Sequence, residues 1–206
     1  MIRFFDILFS FLGLIILSPF LFIISLFIVL TTGNSFFFTQ KRVGKHNKEF
    51  TLLKFRTMRK DSDKTGLLTV GTRDARITKV GYFLRKYKLD ELPQLVNVLV
   101  GSMSLVGPRP EVRKYVDLYF DEQKRVLEVR PGITDYASII YRDENKILAQ
   151  FDEPEKHYIE VIMPQKLQLN LRYIDNYTIK EYFRILLLTL RAITTFDKTS
   201  HKRFKG

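Results

Sequence analysis

The chain contains no cysteine. This excludes a disulfide framework, a thiolate zinc site and a cysteine nucleophile. Histidine is nearly as scarce: His46, His157 and His201 stand isolated and fit no zinc-ligand spacing. No G-x-x-x-x-G-K-[ST] loop, no G-x-G-x-x-G turn and no G-x-S-x-G elbow occurs. Negative charge is in short supply, with 22 acids against 34 lysines and arginines and a net charge of +12. The fitting partner is therefore anionic: a phosphorylated small molecule, an anionic membrane face or nucleic acid. The 206 residues are 46% apolar and 27% charged, which excludes disordered, collagenous and low-complexity classes.

Charge is absent altogether between Asp6 and Lys41. As one straight helix, residues 7–32 would reach about 39 Å, more than a bilayer core of about 30 Å. Pro19 sits near the middle of this run, where it removes a backbone hydrogen bond and favours a kink. Ser18 beside it can hydrogen-bond a freed backbone group. The arms 7–18 and 20–32 are each roughly 18–20 Å long, too short to span alone. Arg3 precedes the run, and Lys41, Arg42, Lys45 and Lys48 follow it. Basic residues favour the cytoplasmic side, so a re-entrant hairpin satisfies that preference at both ends and a spanning helix at one. Physics alone leaves the two readings level. A cleaved signal peptide fits less well, because the run is long and no A-x-A-like site follows it.

Residues 36–43 and 49–57 read as a small β-hairpin around the turn Gly44-Lys45-His46-Asn47. Residues 59–75 read as an exposed loop. Helical spacing of Ile77, Val80, Phe83, Leu84 and Tyr87 predicts a helix there. A second helix is expected from Asp90, as its cap, to about Leu99, ending at Gly101. Residues 111–129, 166–177 and 179–196 read as further helices. The last has a wide apolar stripe suited to the core or to a membrane surface. The basic tail (Lys198, Lys202, Arg203, Lys205) could lie on anionic lipid or fray in solvent.

The densest candidate for chemistry is Leu89-Asp90-Glu91-Leu92-Pro93-Gln94-Leu95. An acid pair at a helix start is more often a cap than a catalyst. The surroundings shift that weight: Arg85, Lys86 and Lys88 lie upstream, and Gly107-Pro108-Arg109-Pro110 lies downstream. A helix start ringed by cations suits phosphate, and carboxylates there are acceptable when a divalent cation bridges them to phosphate oxygens. Two oxygen ligands plus phosphate suit Mg²⁺.

Taken in order, several blocks resemble the bacterial sugar transferases, the small monotopic phosphoglycosyl transferases acting on polyprenyl phosphate. The first are Thr39 to Gly44, the segment Phe50 to Met58 ending Lys-Phe-Arg-Thr-Met, and Arg85 followed by Leu89 to Leu95. Gly101 to Pro110 and Arg130-Pro131-Gly132-Ile133-Thr134 complete the set. The Ser18-Pro19 pair matches the break of that family's re-entrant helix, and on this resemblance the hairpin is preferred to the span. The implied fold is α+β and mostly helical. It has a re-entrant helix-break-helix over 1–35, then a cytosolic catalytic domain over 36–206 with a small β-hairpin and amphipathic interfacial helices.

The resemblance implies transfer of a sugar-1-phosphate from a nucleoside diphosphate sugar, expected to be a UDP-sugar, to polyprenyl (undecaprenyl) phosphate. UMP would be released, Mg²⁺ required, and glycoconjugate assembly initiated. Asp90 would be the nucleophile, forming a phosphosugar–aspartyl intermediate. Glu91, with Asp90, would hold Mg²⁺. Lys54, Arg56, Arg85, Arg109 and Arg142 would bind phosphates and nucleotide. The expected location is the bacterial cytoplasmic (inner) membrane with the catalytic domain on its cytosolic face. Membrane lipid is an expected partner and nucleic acid is not; oligomeric state is left open. The chain departs from the family pattern at Asp135-Tyr136-Ala137-Ser138, where Gly-Trp-Ala-Gln is common, and at Tyr141, where glycine precedes the arginine. The rival is a membrane-anchored, non-catalytic basic module binding anionic lipid or nucleic acid, in which Asp90 and Glu91 would be replaceable.

Overall fold

The computed structural model describes residues 1–33, 35–59, 68, 70–71 and 74–194. Most of the expected loop 59–75 and the basic tail, with Lys198, Lys202, Arg203, Lys205 and His201, lie outside the described residues. The fold is α+β and mostly helical. Helix α1 spans Ile2–Thr32. Strands β1 (Phe37–Val43) and β2 (Glu49–Phe55) form an antiparallel hairpin in which Gln40 faces Leu52. Helices α2 (Lys79–Lys86) and α3 (Gln94–Val100) follow, separated by a 3₁₀ turn over Leu89–Glu91. Strand β3 (Ser104–Val106) then pairs in parallel with β4 (Gly132–Thr134), and the short helix α4 (Arg113–Val116) lies between them. Helices α5 (Tyr136–Ile140), α6 (Glu144–Leu148), α7 (Pro154–His157), α8 (Met163–Asp175) and α9 (Ile179–Thr194) complete the described chain.

Helix α1 runs through Pro19 without interruption, so its two arms belong to one helix rather than to two helices with a break between them. The local chemistry explains this. Proline at position 19 leaves the Ile15 carbonyl without its usual amide donor. Ser18 Oγ donates to that same carbonyl at 2.8 Å. The lost bond is replaced inside the helix, with no need for water at that depth.

Both arms of α1 rest on the same domain. In the first arm Ile2 and Phe5 join a cluster with Val106 of β3 and Tyr182 and Ile185 of α9. Near the middle, a Cβ on Gly13 would touch Leu95 of α3 at 3.4 Å. In the second arm Ile24 and Ile28 pack with Phe55 of β2 and Leu84 of α2. A helix leaving the domain to cross a bilayer would keep protein contact at one end. The opposite face is apolar and bare: Phe11, Ile16, Phe22, Phe27 and Leu30 are exposed, and 11% of the most apolar stretch is buried. A contiguous apolar face of this size needs lipid or a partner.

This arrangement predicts that both ends of α1 lie on one side of the membrane. A cysteine appended to the N-terminus and one at Lys41 should respond alike to an impermeant thiol reagent added to whole cells. Labelling of one without the other would refute the arrangement.

Two expected elements change form. The predicted helix over 111–129 is α4, a turn, and a 3₁₀ segment over Gln123–Glu128. Gln123 Oε1 accepts from the Phe120 amide at 3.0 Å, in the turn that leads into the 3₁₀ segment. Tyr115, Val116, Tyr119 and Val126 can then all face one core with Val43 and Tyr158. The helix expected to start at Asp90 starts instead at Gln94, with Pro93 in the capping position and Gly101 closing it at φ 95°.

Two glycines fix the approach of β3 to β4. A Cβ on Gly132 would lie 2.1 Å from the Gly107 nitrogen, and one on Gly107 would lie 2.4 Å from the Arg130 carbonyl. Only bare backbones can cross this closely. The crossing delivers Arg109, just beyond β3, to the edge of the 3₁₀ turn.

Candidate active site

Asp90 lies in the 3₁₀ turn and is 8% exposed. Lys88, at the start of the turn, holds the left-handed conformation at φ 58°, a strained choice for a lysine. Asp90 makes no capping bond, and its Oδ1 has no hydrogen-bond partner. This removes the bland explanation of the acid pair, since a capping carboxylate would hold backbone amides. An orphaned buried acceptor costs about 1–3 kcal/mol.

Glu91 is bonded throughout. Arg109 grips it with both terminal nitrogens, Nη1 to Oε2 at 3.1 Å and Nη2 to Oε1. Lys54, reaching across from β2, donates to Oε1 at 3.1 Å. Arg109 is itself placed by its backbone amide, which donates to Asp135 Oδ2 at 3.2 Å. Asp135 also caps α5 through Ser138 N at 2.5 Å, so this departure from the family pattern is a structural post behind Arg109.

The two carboxylates are electrostatic opposites. Burial, then the neighbouring charge of Glu91, pushes Asp90 above the ordinary carboxylate range. Burial also works to raise Glu91, but Arg109 and Lys54 together outweigh it and hold that acid well below its usual value. Burial lowers the Lys54 ammonium despite Glu91 beside it. The charge of Glu91 raises Arg109. The site therefore holds one fixed anion and one carboxylate of raised basicity.

The other expected residues divide. Arg85 of α2 is mostly buried and donates Nε to Thr57 Oγ1 at 2.9 Å, and its charge acts on Asp90. Arg56 turns the other way: it donates to the carbonyls of Ser35 at 2.8 Å and Phe37 at 3.2 Å, where α1 leads into β1. Arg142 donates to the Ala192 carbonyl on α9. The geometry thus gathers Lys54, Arg85, Asp90, Glu91 and Arg109, and directs Arg56 and Arg142 to backbone elsewhere.

Sequence reasoning passed over three supporting residues. Thr57 positions Arg85. Asn97, a buried amide in helix α3, accepts from Leu53 N at 2.9 Å and donates to Thr51 O at 2.8 Å, fastening the helix that follows the dyad to the strand of Lys54. An amide inside the apolar run 95–100 was the available signal. Arg42, counted only as a basic residue, donates to Pro110 O at 3.1 Å and Glu111 Oε2 at 3.4 Å, bracing the segment after Arg109.

Among the described residues no group of three or more histidines, aspartates or glutamates could hold a metal. The donor set for a cation is the dyad. The unpartnered Oδ1 of Asp90 beside Glu91 fits a hard cation that takes its other ligands from phosphate oxygens and water.

A domain seated along an apolar helix, with an acid pair enclosed by cations, defines a class. The chain belongs to the bacterial sugar transferase family, whose model matches residues 1–196. It is similar to an uncharacterized sugar transferase, EpsL, of Bacillus subtilis, with 39% identity over 86% of this chain and 82% of that protein. It is 33% identical to the UDP-N-acetylgalactosamine-undecaprenyl-phosphate N-acetylgalactosaminephosphotransferase of Aeromonas hydrophila, over 92% of this chain. It is 36% identical to the UDP-glucose:undecaprenyl-phosphate glucose-1-phosphate transferase of Escherichia coli, over 90% of this chain. The chain spans 43% and 38% of the lengths of these last two relatives.

Proposed function

We propose that this protein transfers a sugar-1-phosphate from a UDP-sugar to undecaprenyl phosphate at the cytosolic face of the bacterial cytoplasmic membrane, opening the assembly of a surface glycan. The observation carrying this reading is the division of labour within the dyad. Glu91 has both oxygens committed to cations, and those cations lower its basicity. Asp90 has a free oxygen and raised basicity beside the same cations. The names of two relatives supply the donor and acceptor classes.

In the first step an Asp90 oxygen attacks the sugar-proximal phosphorus of the UDP-sugar. The new bond is an acyl phosphate, and the phosphoanhydride bond to UMP breaks with its electron pair leaving on UMP. In the second step an oxygen of undecaprenyl phosphate attacks the same phosphorus and returns the carboxylate to Asp90. Lys54, Arg85 and Arg109 face the charge that builds on the phosphoryl oxygens, without having to reorganise. Glu91 keeps Arg109 and Lys54 in place until phosphate arrives to share them. Asp90 and Glu91 would hold Mg²⁺, which when bound neutralises diphosphate charge. The bare face of α1 would be immersed in one leaflet, with the site at headgroup level.

The reading is tested with the purified full-length protein, Mg²⁺ and a panel of UDP-sugars, with and without undecaprenyl phosphate. One donor should give sustained UMP release with lipid present. Without lipid, the same donor should give up to one equivalent of UMP and a protein mass gain of one sugar phosphate on the Asp90 peptide. A panel without lipid-dependent UMP release would refute the function. Lipid-dependent turnover with neither adduct nor lipid-free UMP would refute the covalent route alone.

A further inference from the structure

Helix α1 carries two charges, Arg3 and Asp6, both near its start. Each bonds a different element of the domain, away from the dyad itself. Arg3 donates through Nη1 to the Val98 carbonyl at 2.7 Å and through Nη2 to the Leu99 carbonyl at 3.0 Å. These are end carbonyls of α3, the first of which also accepts from the Gly101 amide at 3.1 Å, and a cation there faces the negative end of the helix dipole. Asp6 is 1% exposed. Its Oδ1 accepts from Ser104 Oγ at 2.9 Å, Leu105 N at 2.9 Å and Tyr182 Oη at 3.0 Å. Ser104 and Leu105 belong to β3, and Tyr182 to α9.

The two anchored elements carry the chemistry. Helix α3 begins just after Glu91, and β3 runs directly into Gly107-Pro108-Arg109. Holding the far ends of both segments holds Glu91 and Arg109 relative to α1. Apolar contacts alone would not do this, because they are non-directional and tolerate sliding and rotation. A buried carboxylate is expensive unless fully bonded, so its use in an apolar helix needs a return in geometry. We propose that Arg3 and Asp6 form a clamp that fixes the depth and tilt of the active site relative to the membrane holding α1, so that the site meets the lipid phosphate at headgroup level. The lipid's identity rests on the proposed function; the clamp does not.

The test uses the full chain in lipid nanodiscs. Because the chain lacks cysteine, Lys48→Cys, an exposed hairpin position, gives a unique dye site. Energy transfer from that dye to acceptor-labelled headgroups reports the height of the domain. Asp6→Leu should shift or broaden the transfer distribution and lower lipid-dependent turnover about tenfold, a loss of roughly 1.4 kcal/mol. Lipid-free UMP release should stay within about twofold, since the donor pocket is untouched and the loss lies in aligning the acceptor. Asp6→Asn keeps an acceptor oxygen and should restore most of both signals. Tyr182→Phe, which removes one bond but keeps the ring packing, should shift them in the same direction by less.

Unchanged energy transfer in Asp6→Leu would overturn the clamp. So would equal loss of lipid-free and lipid-dependent reaction, which marks a merely structural carboxylate. If the wild type shows no lipid-free UMP release, the covalent route fails, and the energy-transfer result alone decides the clamp.

Discussion

Asp90→Asn is expected to abolish turnover and, in the metal-free protein, to raise the midpoint of thermal unfolding. An amide cannot form the acyl phosphate, so loss of the nucleophile should cost about 10⁴-fold or more. The gain in stability follows from burial. Asp90 is 8% exposed and has an unpartnered Oδ1, and its folded-state pKa lies above the unfolded value. A carboxylate shifted upward favours folding in its protonated form. That contribution is present below the ordinary carboxylate range and is lost as pH rises through the raised folded value. At neutral pH the ionised group is therefore a liability that asparagine removes. Unfolding scans in EDTA should show the variant melting higher than wild type, with a wider gap at pH 8 than at pH 5. A lower midpoint for Asp90→Asn at pH 8 would show that the carboxylate stabilises the fold and contradict its assignment as a nucleophile held at a cost.

Some of this was legible in the sequence because local physics decided it. The hairpin was readable from the turn Gly44 to Asn47 between two strand-like segments, and it forms with Val43 opposite Glu49. That Ser18 could bond a carbonyl freed by Pro19 was readable, because a proline's missing donor has a known address one turn back, but the expected break is absent: the helix runs through Pro19. The dyad and Arg109 were visible as motifs, but not their pairing, since Arg109 meets Glu91 only through the β3–β4 crossing. That crossing rests on two three-residue strands, too short for periodicity to register. Asp6 read as the border of an apolar run, and its partners Ser104, Leu105 and Tyr182 lie far along the chain. Arg56 follows directly on β2, the strand that supplies Lys54, yet its side chain bonds carbonyls at the α1 exit. Sequence proximity within a motif does not fix the face from which a side chain emerges.

Glu91→Gln is expected to move stability the opposite way from Asp90→Asn, although the residues are adjacent and the charge change is the same. The side chains of Glu91, Lys54 and Arg109 are 11%, 20% and 30% exposed, so the pairings are well shielded from solvent. Glutamine leaves two cations facing each other without their anion. Breaking a buried pair in this way costs about 3 kcal/mol. The linkage has the ordinary sign for a paired acid: Glu91's folded pKa is depressed, so its contribution is present above the unfolded glutamate value and lost as pH falls through the folded one. The gap between wild type and Glu91→Gln should thus be wide at pH 7 and close under strong acid. Turnover should fall about 10³-fold, the scale for losing a principal electrostatic element of a transition state. Raised Mg²⁺ should recover part of it if weakened cation affinity contributes to the loss. A Glu91→Gln protein as stable as wild type at pH 7 would mean that Lys54 and Arg109 have other anions to hold, and Glu91 would lose its place as the fixed charge that organises the phosphate-facing cations.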